Sequence, residues 1–107
     1  MPYYLHQVAF TPEAWGKMVK QPQDREAAMR PVIEKLGGKL ISYWFCFGDY
    51  DSLLITEFPD HASAAAAPMA ASASGMLKAV KTTPLMSMKE AMEAMRKAGS
   101  AGYRAPS

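Results

Sequence analysis

The stretch Phe47-Gly48-Asp49-Tyr50-Asp51 constrains this chain most, because it is a short turn between two dense apolar runs. Lys39 to Phe47 carries Ile41, Trp44, Phe45 and Phe47, and Ser52 to Phe58 carries Leu53, Leu54, Ile55 and Phe58, so both read as strands. Gly48 to Asp51 is short enough to join them as a hairpin, with Gly48 free to take positive φ. Neither run alternates apolar and polar residues strictly. That predicts a sheet covered on both faces.

The segments around this hairpin have readable types. Tyr3 to Phe10 is aromatic and apolar and predicts a first strand. Thr11 is placed to cap a helix with Pro12 at its first position, where a missing N–H costs nothing, and Trp15, Met18 and Val19 follow at helical spacing. Gln21-Pro22-Gln23 breaks that helix and Asp24 caps the next, whose apolar stripe is Ala28, Met29, Val32, Ile33 and Leu36. Pro31 lies inside it and Gly37-Gly38 stops it. After the hairpin, Pro59-Asp60 opens an alanine-rich helix over Ala62 to Ser74, and Pro68 predicts a kink or a restart near Met69. Met76 to Thr83 predicts the fourth strand. Ser87-Met88-Lys89-Glu90 has capping-box spacing and starts a last helix through about Ala98, with Met88, Ala91, Met92 and Met95 on one face.

Two β-α-β units joined by a tight hairpin predict an α+β, ferredoxin-like βαββαβ sandwich with an extra C-terminal helix. One domain spans 1–107, with a core at about 3–85, a helix at about 87–98 and an irregular tail over 99–107 anchored by Tyr103. If both crossover helices cover one face, the other face is too apolar for solvent, and a homodimer or higher oligomer packed through the sheet face is expected. Burying even ~400 Å² of apolar surface is worth roughly 10 kcal/mol before association costs.

The residues also resemble a family, the small bacterial GYD-domain proteins, which belong to the dimeric α+β barrels. Gly48, Tyr50 and Asp51 stand at the namesake positions with Asp49 at the variable one. The resemblance extends through Thr11-Pro12-Glu13, Pro22 with Asp24-Arg25, Leu36-Gly37-Gly38-Lys39, Pro59-Asp60, and Lys97-Ala98-Gly99 through Tyr103-Arg104-Ala105-Pro106. It implies the fold and a dimeric barrel. It does not imply an activity, because related barrels include cofactor-independent monooxygenases, isomerases, haem enzymes and ligand-sensing domains.

Composition excludes several classes. The formal charge is +2 with Lys and Arg scattered, so no nucleic-acid partner is expected. A single cysteine, Cys46, forbids an intrachain disulfide or a cysteine zinc site, and two histidines so far apart make no metal set. No apolar run approaches a membrane span and no secretion signal opens the chain, so no membrane partner and a cytoplasmic location are expected. No cofactor is expected; haem would need His6 as axial ligand and a large cavity.

His6 is the acid–base candidate, facing the same side as Tyr4 and Val8 on what should be a central, buried strand. Tyr50 and Asp51 are further catalytic candidates, and Tyr4, Trp44, Gly48, Asp49 and Tyr50 are candidate ligand contacts. Turn chemistry accounts equally for the hairpin residues, and a satisfied structural role accounts for His6. Cys46 reads as packing among aromatics, His61 as a surface residue, and Arg25 and Arg30 as solvated or anion-binding. The expected function is a small-ligand-binding or accessory protein. A cofactor-independent monooxygenase or isomerase acting on a small aromatic or acidic metabolite, and an interaction module using the Met-bearing last helix, are the alternatives.

Overall fold

The structure, a computed structural model, describes residues 1–107. Strand β1 (Tyr3–Phe10) leads through helices α1 (Pro12–Lys20) and α2 (Arg25–Lys35) to β2 (Lys39–Phe45), and the hairpin returns in β3 (Ser52–Glu57). Helix α3 (His61–Ala73), strand β4 (Leu77–Leu85) and helix α4 (Met88–Gly99) complete the chain. The four strands form one antiparallel sheet in the order β2-β3-β1-β4, which is the ferredoxin-like arrangement. No helix is long and apolar enough to cross a membrane.

Local chemistry sets the helix ends where the sequence placed them. The side chains of Thr11, Asp24 and Asp60 each accept a hydrogen bond from the first turn of α1, α2 and α3, at 3.2, 3.1 and 2.8 Å. Ser87 and Glu90 form a reciprocal capping box, both bonds at 3.1 Å. The first crossover is therefore two helices with a break over Gln21–Asp24.

Four details differ from the sequence expectation. α3 is continuous through Pro68, because Ala64 and Ala67 before it and Ala71 after it keep one face on the sheet. β2 ends at Phe45 rather than Phe47, whose side chain is 99% exposed. β4 runs on through Pro84, which a sheet edge tolerates because the missing N–H leaves no ladder gap. Tyr103 anchors nothing within this chain and is 81% exposed.

The core lies between the helices and one sheet face. Tyr4, His6, Val8 and Phe10 of β1 alternate into it, joined by Leu54 and Thr56 of β3, Leu40, Ile33, Ala64, Ala67 and the fully buried Phe58. The α2–β2 turn packs tightly against the end of β3 at Gly38. A Cβ there would meet the Glu57 carbonyl and the Phe58 ring at 2.6 Å. Gly38→Ala is therefore expected to lower unfolding free energy by about 1–3 kcal/mol, measured by urea denaturation, since neither the backbone nor a fully buried ring yields easily. Unchanged stability would show that the α2–β2 corner is looser than this packing.

The opposite face carries Tyr3, Leu5, Ala9, Trp44, Leu53, Ile55 and Leu85, with no helix over it. So only one face is covered within the chain. A register irregularity between Leu40 and Ser42 breaks the pairing of edge strand β2 with β3. Helix α4 has no buried residue and lies apart from the sandwich. The radius of gyration is 17.2 Å, against the ~13 Å typical of a 100-residue globule. An arm standing away from the body explains the excess.

Candidate functional site

Register fixes the buried polar cluster. His6 lies opposite Leu54 on one side and Thr82 on the other, and Tyr4 lies opposite Thr56 and Pro84. His6 is 4% exposed, and its Nδ1 and Nε2 meet the hydroxyls of Thr82 and Thr56 at 2.9 and 2.8 Å. One ring N–H donates to one threonine, and the other threonine donates back to the bare nitrogen. Burial lowers the His6 pKa from 6.5 to about 4, so the ring is neutral at pH 7.

Tyr4 is also buried, and its phenol meets His61 Nδ1 at 2.8 Å across the start of α3. Its ring stacks 6.5 Å from His6 and packs edge-on to Phe58. The two ring pairs thus form one continuous block under α3.

That block opens onto a groove of about 740 Å³ between α3 and β4. Its walls are apolar: Ala64, Ala65, Pro68 and Met69 on the helix, Val80 and Pro84 on the strand. The alanines make the groove, because larger side chains there would fill the gap between helix and edge strand. Its polar points are Tyr4, His61, Thr82 and Ser72. Thr82 both lines the groove and holds His6, which puts the imidazole one hydroxyl away from any occupant.

The other sequence candidates lie elsewhere. Trp44 is on the open sheet face and 63% exposed. Gly48, at φ +146, and Asp49 form the exposed hairpin tip. Tyr50 is half-buried there and its carbonyl accepts from the Cys46 thiol at 3.3 Å. Asp51 extends the sheet: its N–H donates to Val8 O at 2.8 Å, and its carboxylate accepts from Phe10 N–H at 2.9 Å and the Trp15 indole at 3.4 Å. None of these five lines the α3–β4 groove, the gap beneath α3 or the hollows beside α1. The structure brings Tyr4 and His6 together and keeps Tyr50 and Asp51 apart from them.

Sequence reasoning missed two groove residues, His61 and Thr82. His61 is exposed, as its position after a helix cap suggested, yet it holds the Tyr4 phenol. The available signal was topological. In a βαββαβ order α3 starts where β3 ends, beside the start of β1, and β4 pairs with β1. No three of the His, Cys, Asp and Glu side chains cluster as a metal-ligand set.

The family model described as "GYD domain" matches residues 4–95. The chain belongs to the GYD domain family. That match takes in both strands of the groove block, the hairpin and most of α4 of this GYD domain. A solved structure similar to it is the NE2512 protein of unknown function from Nitrosomonas europaea, at 15% identity, 80% coverage of this chain, 89% of that chain and a TM-score of 0.42. No curated protein matches the GYD domain described here.

Proposed function

We propose that this GYD domain binds a small, largely apolar molecule in the α3–β4 groove, and that it does so as a homo-oligomer paired through its open sheet face. The observation that supports the reading is the Tyr4–His61 hydrogen bond in the lining of an alanine-walled groove. Small-molecule sites combine apolar walls with a few placed polar groups, and this groove has that composition. A phenol or aryl ketone suits it, and about 740 Å³ admits more than one ring: the aryl body lies along Ala65, Met69 and Val80 while its oxygen exchanges a hydrogen bond with Tyr4 or His61.

Thermal-shift titration with a panel of phenols and aryl ketones tests this. A true ligand at a hundred times its Kd adds about 2.7 kcal/mol, which raises Tm by more than about 10 °C in a domain of this size. Tyr4→Phe is expected to weaken the binding up to about tenfold, the loss of one neutral hydrogen bond. A panel that never shifts Tm, or one that shifts Tyr4→Phe equally, defeats the reading.

The monooxygenase or isomerase alternative has less support. It asks His6 to act as base with Tyr50 or Asp51 orienting the substrate, whereas both His6 nitrogens are engaged by threonines and the Asp51 carboxylate by Phe10 and Trp15. An interaction role for α4 has a specific observation in its favour. Met88, Met92 and Met95 form an apolar stripe, 77, 49 and 68% exposed, that the chain itself leaves bare.

A further inference from the structure

A second hollow lies at the elbow between α1 and α2. It holds about 190 Å³ and has an apolar floor of Phe10, Ala14, Met18 and Met76 under a rim of Lys17, Gln23 and Arg25. Two cations and an amide look into it, and no carboxylate lines it. A neighbouring hollow adds Lys20 and Gln21 to the same rim.

The two arginines of α2 make the contrast that identifies the site. Arg30 is satisfied: it donates to Glu26 at 2.6 Å and to the Leu40 carbonyl at 3.1 Å. Arg25 has no carboxylate: one arm donates to the neutral Gln23 Oε1 at 2.9 Å, the other meets the Met29 sulfur at 4.0 Å, and the Tyr43 hydroxyl is a further neutral partner. The nearby carboxylates are committed elsewhere: Glu26 to Arg30, Asp24 to the cap of α2, and Glu13 to Lys17 at 3.7 Å. A half-buried guanidinium whose partners are all neutral, beside an apolar floor, is a receptor for a carboxylate that carries an apolar body.

Volume sets the body. An apolar cavity of ~150 Å³ takes one benzene ring, so about 190 Å³ takes one ring with its carboxylate at the rim. Methionine sulfur and a Phe edge on the floor favour an aromatic face. We propose that the α1–α2 elbow is a binding site for a single-ring aryl carboxylate, gripped by Arg25 and Lys17 over Phe10, Met18 and Met76. The site shares no residue with the α3–β4 groove, so it stands or falls independently of the function proposed above.

The test is isothermal titration of the full chain with benzoate and with benzamide, its neutral counterpart, at one fixed ionic strength. Benzoate is expected to bind with a Kd near or below about 1 mM, and benzamide at least about tenfold more weakly. Arg25→Gln should weaken benzoate about tenfold or more, and Lys17→Gln, on an exposed residue, about threefold. Ala65→Trp, which fills the other groove, should leave benzoate binding unchanged. Lys17→Gln keeps the test decisive should Arg25→Gln melt early. The proposal is overturned if benzoate fails to bind at 10 mM-scale concentrations (about ten times the expected Kd), if benzamide binds as well, if neither charge-removing variant weakens it, or if Ala65→Trp abolishes it.

Discussion

Unfolding free energy is expected to drop by roughly 3 kcal/mol as pH falls from 6.5 to 4, because His6 is folded into a place where it cannot take a proton. Burial lowers its pKa from 6.5 to about 4, so in that window the unfolded chain binds the proton and the folded one does not. Stability is full above about pH 6.5, declines through the window, and loses nothing more from this group below about pH 4. Asp60 and Glu90 are held below their ordinary carboxylate values by cap hydrogen bonds from Ser63 and Ser87, so what they contribute fades from their ordinary values of 3.8 and 4.5 downward, at the acid end of this window and below it. Urea unfolding at several pH values checks this. His6→Gln, which retains hydrogen-bonding capacity toward both threonines, should show a flat profile between 6.5 and 4. A parallel slope in wild type and variant would assign the effect to another group.

Ile55→Lys is expected to hold the protein monomeric at concentrations where the proposed sheet-face pairing would make the unaltered chain a dimer. Ile55 sits mid-strand on β3, facing away from the helices, between Leu5 of β1 and Ser42 of β2. In a lone subunit the lysine extends into water at little cost. In a face-to-face pair it would be a dry, unpartnered charge, and in a two-fold interface the charge occurs twice. The loss is therefore expected to exceed about 3 kcal/mol, more than a hundredfold in the association constant. Sedimentation equilibrium decides: equal masses for the two proteins would remove the sheet-face pairing. A monomeric unaltered chain would remove it more directly.

The frame of this molecule was legible because its signals are local. A cap residue needs only its own first turn, and Thr11, Asp24, Asp60 and Ser87 each bond there. The bounds of β1 follow from its run of aromatic and apolar residues, and the hairpin follows from what stands between two such runs. Pro68 misled because local propensity was set against the packing of Ala64, Ala67 and Ala71, and packing prevailed. The groove was half legible. Tyr4 and His6 were on the expected side of a buried strand, but their partners come from 57 and 76 residues away. Which threonine meets His6 depends on the register of β1 with β4, and residue types alone do not encode it. The namesake hairpin drew attention as chemistry, while Asp51 spends its carboxylate on closing the end of β1.

The two outer strands have one more consequence. An unpaired strand edge is a template for the next molecule, and endless edge-to-edge addition is how sheets grow into fibres. Here the β2 side is interrupted at Leu40–Ser42, and the β4 side sets Pro84 and two ammonium groups, Lys78 and Lys81, along its rim. Lateral growth is blunted on both margins, and Lys81, level with Gln7, also sets a charge on the flank that bears Leu5 and Ile55. Edge-to-edge addition is thereby disfavoured in both directions.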